Sequence, residues 1–227
     1  MRAGDVFAHT LFALLLAAPA VAAGQAGARP KVNCEGQSAP NEELRRELLQ
    51  MERADQAARE RWIAEKYSEA AGREMKALDL KHVERLRAII EARGFPGVCL
   101  VGRDAAQAAH TLLLHTPSLE LKRAALPHLE AAVRRGEVPA WAVAMLTDDI
   151  LDAEGKPQLY GTNFEFKDGR LALKPVSDPA GLEERRARVG LPPLSEYIKG
   201  LEELYRVSTA PSTAPTHTPV PRAGKKP

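Results

Sequence analysis

Cysteine is scarce in this chain, and its scarcity limits the chemistry to be expected. Only two of the 227 residues are cysteines, Cys34 and Cys99. Two thiols this far apart in sequence form neither a CxxC redox motif nor a zinc cluster. The sequence therefore predicts no metal site, and it shows no motif that would bind a cofactor.

Familiar catalytic motifs are missing as well. The chain has no Gly-x-Ser-x-Gly nucleophile elbow, no glycine-rich phosphate-binding loop and no His-Glu-x-x-His motif. Common serine hydrolase, nucleotide-binding and zinc-protease functions therefore have no support in the sequence.

A strong excess of charge of one sign is the third absence. The chain has 32 Lys and Arg residues against 30 Asp and Glu residues. Residues 1–22 contribute one charge of each sign, and residues 208–227 contribute three basic residues and no acidic one. The part between them has a net charge of −1, which argues against nucleic acid as a partner.

What is present begins with a secretory pattern. Residues 1–22 combine a basic start, a short apolar run and the small-residue sequence Ala20-Val21-Ala22, which together predict a signal peptide. The acidic Asp5 departs from that pattern, and an uncleaved anchor is the alternative. Because the apolar run is too short to span a bilayer, we expect an exported protein, periplasmic or secreted. No transmembrane segment is expected after signal cleavage.

Two segments outside the folded part are expected to be flexible. Residues 23–40 are rich in Gly, Ala and Pro and resemble a linker, and residues 207–227 form a Ser/Thr/Pro-rich tail that should be disordered.

Because an exported protein meets an oxidising environment, Cys34 and Cys99 are candidates for a disulfide. The alternative is a pair of free thiols.

Residues 41–206 are expected to form a single, mainly α domain, a helical-hairpin bundle with one small β-hairpin inserted near its C-terminal end. Asn41 is suited to cap a helix over residues 42–67, whose charged side is expected to face solvent. Asp79 should cap the next helix, and Gly94 should end it.

Further helices are expected along the rest of the domain. Residues 95–102 have the composition of a loop, and Asp104 should open the helix that follows it. Pro127 should kink or split the next helix, because proline lacks the amide that the helix needs. The sequence leaves the oligomeric state open.

The β-hairpin is predicted from its turn. Asp168-Gly169 lies between two alternating runs, which is a strong hairpin signal. A two-residue turn would pair Phe166 with Leu171, and two residues further along Phe164 with Leu173, so that these four form the buried face. The two-residue period then puts Tyr160 and Thr162 on the same face, with Asn163 and Glu165 on the other.

Three stretches of the chain resemble, in this order, the bacterial family known as domain of unknown function 6624. They are RAIIEARGFPGVCLVGRDAAQAAHTLLLHT, LTDDILDAEGKPQLYGTNFEF and ERRARVGLPPLSEYI. The similarity covers roughly residues 41–200, and its most specific block is the sequence QLYGT over residues 158–162. This resemblance implies a domain boundary, but it implies no established activity.

The chain departs from that family at two places. Members tend to carry Gln after Tyr-Gly-Thr, where this chain has Asn163. They tend to follow the helix histidine with Ala-Asp, where His115 is followed by Thr116-Pro117. If the family uses that aspartate as a base or ligand, this chain has lost the group.

The candidate catalytic residues form one acid–base arrangement. His115 is the type of residue that transfers protons near neutral pH, and a carboxylate from Asp148 or Asp149 could meet it with Tyr160 nearby. Because neighbouring helix positions diverge by about 100°, only one of the two aspartates is expected to face inward. The alternatives are a hydrogen-bonded core histidine and solvated carboxylates.

The candidate ligand-binding residues lie later in the chain. Gln158, Thr162 and Asn163 flank the Tyr-Gly pair, and Arg185 and Arg186 could grip an anionic group with their forked guanidinium ions. The alternatives are internal hydrogen bonds for the first three and pairing with neighbouring glutamates for the two arginines.

Two functions are compatible with these patterns. The first is a non-enzymatic exported module that binds an envelope protein or a peptide, supported by the helical architecture and the missing catalytic motifs. The second is a small hydrolase-like or ligand-processing enzyme that uses the His, Asp and Tyr residues named above.

Overall fold

The computed structural model describes Val32, Cys34 and residues 39–167 and 170–205. The predicted signal peptide, most of the predicted linker, the Asp168-Gly169 turn and the predicted tail lie outside the described residues. The described part contains seven α-helices and one antiparallel pair of strands, which confirms a mainly α fold with a small hairpin near its C-terminal end. The elements are α1 (Glu42–Ala64), α2 (Glu69–Arg93), α3 (Val98–His115), α4 (Leu119–Arg134), α5 (Ala140–Ala153), β1 (Phe164–Lys167), β2 (Arg170–Leu173), α6 (Leu182–Arg188) and α7 (Leu194–Tyr205).

Helix α1 begins where its capping residue predicted. The Oδ1 atom of Asn41 accepts a hydrogen bond from the amide of Leu44 at 2.9 Å, which satisfies one of the unpaired amides of the first turn. The helix ends at Ala64, and Lys66 and Tyr67 then adopt left-handed conformations with φ of 52° and 64°. These two residues turn the chain directly into α2.

Helix α2 is longer than the sequence predicted, and the expectation that Asp79 caps it was wrong. Ser68 is the cap, and its hydroxyl accepts from the amide of Ala71 at 3.2 Å. Asp79 therefore lies inside the helix, and its side chain is buried. The end of α2 was predicted correctly, since Gly94 follows it with a φ of 73°.

The loop expected over residues 95–102 was partly wrong. Helix α3 already begins at Val98, and only Gly102 interrupts it, with φ 79° and ψ 167°. A long-range contact holds this first turn, because the amide of Asn41 donates to the carbonyl of Leu100 at 2.7 Å. Sequence signals for a loop were present, but a contact from a distant segment decided the structure.

Pro127 does not split its helix. Helix α4 runs continuously from Leu119 to Arg134 with the proline inside it. The carbonyl that loses its helical partner belongs to Arg123, and both Arg123 and Pro127 are exposed. That carbonyl can therefore hydrogen bond to water, which lowers the cost of the missing amide.

Helices α1 to α5 share the main apolar core. Its buried side chains come from all five helices, with Leu48, Leu86, Leu113, Leu129 and Leu146 among the fully enclosed ones. A second, smaller cluster joins Leu171 of β2 to Tyr197 and Leu201 of α7, with Phe164 and Phe166 packed against it. The hairpin therefore packs on the last helix.

The hairpin has the predicted register. Phe164 pairs with Leu173 and Phe166 with Leu171. The strand is shorter than predicted, however, because β1 begins only at Phe164. The QLYGT sequence before it follows an irregular path, for a reason that its hydrogen bonds make clear below.

A disulfide joins Cys34 to Cys99, with their Cα atoms 5.4 Å apart, which confirms the predicted pairing. It links the segment before α1 to the first turn of α3, across 65 residues of sequence. None of the helices in the described part of the chain is both long enough and apolar enough to cross a bilayer.

Candidate functional site

Asp148 of α5 organises the QLYGT segment. Its fully buried carboxylate accepts hydrogen bonds from the amides of Leu159 at 2.7 Å, Tyr160 at 3.0 Å and Thr162 at 3.0 Å. The hydroxyl of Thr162 donates to the same carboxylate at 2.8 Å. Burial raises the pKa of Asp148, although these four donors act in the opposite direction. The segment follows an irregular path because it wraps around one carboxylate.

Gln158 fixes the other side of this segment. Its Nε2 donates to the carbonyls of Asn163 at 2.9 Å and Lys174 at 3.0 Å, and its Oε1 accepts from the amide of Asn163 at 2.8 Å. The amide group of Gln158 is thus used internally. It joins the QLYGT segment to the chain that leaves β2.

Arg186 holds the segment from α6. Its Nη1 donates to the carbonyls of Tyr160 at 2.5 Å and Gly161 at 3.2 Å, and its Nε donates to the carbonyl of Pro192 at 2.9 Å. Its guanidinium also lies 5.0 Å from the centre of the Tyr197 ring. The charge is fully buried, and burial lowers its pKa.

Arg185 also binds backbone. Its Nε donates to the carbonyl of Leu159 at 2.9 Å, and its Nη2 donates to the carbonyls of Ser177 and Asp178, both at 2.7 Å. The structure thus brings the candidate ligand-binding residues together, since Gln158 and Thr162 belong to this segment and Asn163, Arg185 and Arg186 contact it. Their contacts are with the protein itself.

His115 meets a different carboxylate from the ones that the sequence suggested. Its Nδ1 lies 2.7 Å from Oδ2 of Asp55 on α1, and both side chains are 1% exposed. Nε of Arg59 also lies 3.0 Å from Nδ1. Because an ionised carboxylate only accepts hydrogen bonds, we assign the Nδ1 proton to the shorter contact with Asp55, which leaves Nε of Arg59 to donate to Asp55 Oδ2. Neither Asp148 nor Tyr160 contacts His115 within the described residues.

Arg59 completes the surroundings of Asp55. Its Nη2 donates to Asp55 Oδ1 at 2.9 Å, and its Nε donates to Asp55 Oδ2 at 3.2 Å. Burial raises the pKa of Asp55, but the hydrogen bonds and charges of His115 and Arg59 outweigh it and hold that pKa below its usual range. Asp55 is therefore ionised at neutral pH.

The contact set continues from Arg59 to α2. Its Nη2 also donates to Oδ1 of Asp79 at 3.0 Å, and its Nη1 lies 3.5 Å from the sulfur of Met75. Burial raises the pKa of Asp79 to about 6, against the opposing charge of Arg59. One turn further along the same helix, burial lowers the pKa of His82.

Asp149 faces α4 and ion-pairs with Lys122. Burial raises the pKa of Asp149 to about 6, although Lys122 opposes that shift. Both Asp148 and Asp149 are buried, so the expectation that only one of them faces inward was wrong. Because neighbouring side chains on a helix point in different directions, each carboxylate has its own set of partners.

We refer to the buried charged and imidazole groups around Asp55, Asp79 and Asp149 as the polar centre. It draws on five helices, and Lys122 links its two halves because its charge acts on both Asp79 and Asp149. Its members are Asp55, Arg59, Asp79, His82, His115, Lys122 and Asp149. No group of three or more metal-ligating side chains in the described part of the chain is arranged to hold a metal ion.

Sequence reasoning missed five of these residues, chiefly because it assigned the charged side of the first helix to solvent and Asp79 to a helix cap. A signal was available. Along α1 the buried stripe that starts with Leu44 and Leu48 continues at helical spacing into Asp55 and Arg59. Polar residues that occupy core positions of an amphipathic helix are candidates for a buried site. The other missed residues are Asp79, His82 and Lys122.

The structure also has an open groove, which lies between the first half of α1 and the second half of α2. Its volume is about 330 Å³. Leu44 and Ile89 form the apolar floor, and Glu47 and Arg85 face each other with contacts of 2.5 and 2.7 Å. The groove is lined by Asn41, Glu43, Leu44, Glu47, Arg85, Ala88, Ile89, Ala92 and Arg93.

Comparison with known proteins gives one match. Residues 42–209 match the model of a family described as "Family of unknown function (DUF6624)". No curated protein and no solved structure matches the chain.

Proposed function

We propose that this chain, which belongs to the family of unknown function DUF6624, is an exported, non-enzymatic module of the bacterial envelope that binds a peptide or protein partner. We also propose that residues 41–206 form its single folded domain. The observation that carries this proposal is the groove between α1 and α2. It is open to solvent, whereas His115, Asp148 and Asp149 are buried and Tyr160 is half-buried.

The closure of those groups supports binding over catalysis. Asp148 is occupied by four donors of the QLYGT segment, and Asp149 is paired with Lys122. His115 and Asp55 are 1% exposed at their side chains. A substrate would need a path to these groups, while a peptide can reach the groove directly.

The chemistry of the groove suggests the kind of partner. Its apolar floor suits one aliphatic side chain, and a volume of this size suits a short segment rather than a whole domain. Glu43 on one wall and Arg93 on the other have no ion-pair partner among the described residues. We therefore propose a short peptide segment that carries an aliphatic residue between charges of opposite sign.

Export is supported by two features. Residues 1–22 have the pattern of a signal peptide. The disulfide between Cys34 and Cys99 suits an oxidising compartment such as the periplasm or the exterior.

A peptide-display library offers a direct test. The groove variant carries Ala92→Arg and Arg93→Glu, both at exposed positions that line the groove. The matched control carries Ala124→Arg and Arg134→Glu, at exposed positions of α4 outside it. Peptides selected on the wild-type protein should bind the control equally well and the groove variant at least about tenfold more weakly, a loss of about 1.4 kcal/mol.

Two results would contradict the proposal. One is a selection that enriches no peptide, and the other is equal binding of enriched peptides to the wild-type protein and the groove variant. Circular dichroism of all three proteins establishes that the substitutions leave the helices intact.

The contact between Asp55 and His115 favours a second candidate function. A carboxylate that accepts from Nδ1 orients the imidazole and leaves Nε2 as its basic nitrogen, an arrangement that hydrolases use for proton transfer. The hydrolase-like alternative would therefore use Asp55 with His115, in place of Asp148, Asp149 and Tyr160.

Hydrolysis of p-nitrophenyl acetate tests that alternative. If it holds, the wild-type protein accelerates the reaction, His115→Asn abolishes the acceleration, and His128→Asn, at an exposed position of α4, retains it. Equal rates for wild-type protein and His115→Asn would remove the support for this candidate.

A further inference from the structure

The charges of the polar centre do not balance. It contains three carboxylates, Asp55, Asp79 and Asp149, against the two cations Arg59 and Lys122, and every one of these residues is buried. When both imidazoles are neutral, the centre therefore has a net charge of −1. An uncompensated charge in a closed interior is costly, so one additional proton would make the centre neutral.

The two basic side chains link the three carboxyl groups to one another. Arg59 bridges two carboxylates, because its Nη2 lies 2.9 Å from Asp55 Oδ1 and 3.0 Å from Asp79 Oδ1. Lys122 pairs with Asp149 and also acts on Asp79. A proton on one group therefore changes the proton affinity of the others.

Among the described residues, the other charges that act on these groups do not remove the imbalance. Asp152 acts on Asp149 but is itself paired with Lys174 at 2.6 Å, so this pair is neutral. Glu52 of α1 lies near Asp55 and adds to the negative side, and burial raises its pKa. The imidazoles that face the carboxylates are His82 on α2 and His115 on α3.

We propose that the polar centre is a proton-binding site, in which one proton shared by its carboxyl and imidazole groups makes the closed centre neutral. A proton needs no space beyond the groups that bind it. This inference does not rest on the groove between α1 and α2, and its test does not involve a partner.

The sign of the linkage follows from the two carboxyls at the ends of the network. Burial raises the pKa of Asp79 and of Asp149 from 3.8 to about 6. A raised pKa means that the folded state binds the proton more tightly than the unfolded state does. The resulting stabilisation is fully present below about pH 4 and is lost as the pH rises through about 6. Between about pH 5 and about pH 7, the one shared proton, bound with a pKa of about 6, changes the unfolding equilibrium about tenfold.

Carboxyl ¹³C NMR of the full-length protein tests the site without any substitution in it. We expect the side-chain carboxyl signals of Asp79 and Asp149 to titrate well above the ordinary aspartate range. In an Asp79→Asn variant, the midpoint for Asp149 should move to lower pH, because Lys122 then serves one carboxylate instead of two. Titration of both carboxyls near pH 4 in the wild-type protein would overturn the proposal, and an unmoved Asp149 midpoint would overturn the sharing of the proton.

Urea unfolding gives a second, independent measurement. The unfolding equilibrium constant of the wild-type protein should be smaller at about pH 5 than at about pH 7 by a certain factor. Asp79→Asn and Asp149→Asn should each reduce this factor by about tenfold. The matched control is Asp104→Asn, because Asp104 is 54% exposed and paired with Arg45. It should leave that factor unchanged. Variants that respond to pH as the wild-type protein does would contradict a proton on these carboxyls.

Discussion

Asp55 holds two other members of the polar centre in place. It contacts the guanidinium of Arg59 through both of its oxygens and the imidazole of His115 through one of them. A buried ion pair adds little over a well-packed apolar pair, but removal of one partner leaves a buried charge uncompensated. The three side chains should therefore behave as one unit.

Substitution of this aspartate is expected to be severe. Asp55→Asn should lower the free energy of unfolding by about 3–5 kcal/mol, as measured by urea denaturation. The matched control is Glu47→Gln, which breaks the more exposed pair with Arg85 and should cost less than about 1 kcal/mol. Equal losses for the two variants would show that Arg59 and His115 do not depend on Asp55.

His110 provides a pH-dependent prediction at a single site. Its Nε2 donates to the carbonyl of Ala142 at 3.1 Å, and burial lowers its pKa to about 4. An unfolded histidine has a pKa of about 6.5, so the unfolded state takes up a proton first as the solution is acidified. The contribution of His110 to stability is therefore present above about pH 6.5 and is lost as the pH falls towards 4.

Replacement of His110 should weaken that dependence. We expect His110→Gln to be less stable than the wild-type protein at about pH 7, because it loses a buried hydrogen bond, but to lose less melting temperature on transfer to about pH 5. The same substitution at the exposed His128 should leave the acid response unchanged. A His110 variant with the full wild-type loss would contradict this account.

At the scale of elements, Asp148 shows how one side chain replaces regular structure. Gln158 forms an isolated bridge with Val176, but the amides of Leu159, Tyr160 and Thr162 donate to this carboxylate and not to a neighbouring strand. Asp148→Ala would leave three amides and one hydroxyl without their acceptor, and each buried unpaired group costs about 1–3 kcal/mol.

Limited proteolysis can detect the result. We expect Asp148→Ala to lose at least about 3 kcal/mol of unfolding free energy and to become cleavable within residues 158–163 under native conditions. Asp104→Ala, at an exposed helix position, is the control and should remain resistant there. A resistant Asp148 variant would mean that Gln158 and Arg186 hold the segment without it.

Features that depend on local sequence signals were predicted correctly, whereas a feature that depends on long-range contacts was not. Asn41 and Gly94 marked helix ends correctly, because capping depends on the residue itself and a few neighbours. The hairpin register followed from Asp168-Gly169 and the alternation around it. The first turn of α3 could not be predicted in this way, since Asn41 and the disulfide fix it from elsewhere in the chain.

The candidate site was predictable only in part, again for a physical reason. His115 and Asp149 were chosen as a proton-transferring histidine and a carboxylate that could meet it, and both belong to the polar centre. Asp55 and Arg59 were interpreted as solvated, because an acidic and a basic residue four apart have the same spacing on an exposed face as in a buried contact. The pair is buried only because five helices meet around it, and the sequence of one helix does not show that the others pack there.

At the scale of the whole molecule, the disulfide is the only covalent link among the described residues apart from the chain itself. It closes a stretch of 65 residues that includes α1 and α2. A closed loop restricts the unfolded chain, and removal of such a link from a small exported domain commonly costs about 2–4 kcal/mol.

The Cys34→Ser, Cys99→Ser double variant should show that loss. We expect its free energy of unfolding in urea to fall by about 2–4 kcal/mol relative to the oxidised wild-type protein. Wild-type protein under reducing conditions should match the double variant. Identical stabilities of oxidised and reduced wild-type protein would contradict a structural role for the bond.

The division of α1 and α2 into an apolar end and a polar end has a consequence for how the molecule opens. Leu44, Leu48, Leu86 and Ile90 hold the end that carries the groove, whereas Arg59, Asp79 and few apolar side chains hold the end near the connecting turn. Segments with few buried apolar contacts open at lower free energy than the global transition. Amide hydrogen exchange should therefore resolve two cooperative units within one pair of helices, with the turn end exchanging first while the groove end keeps its protection.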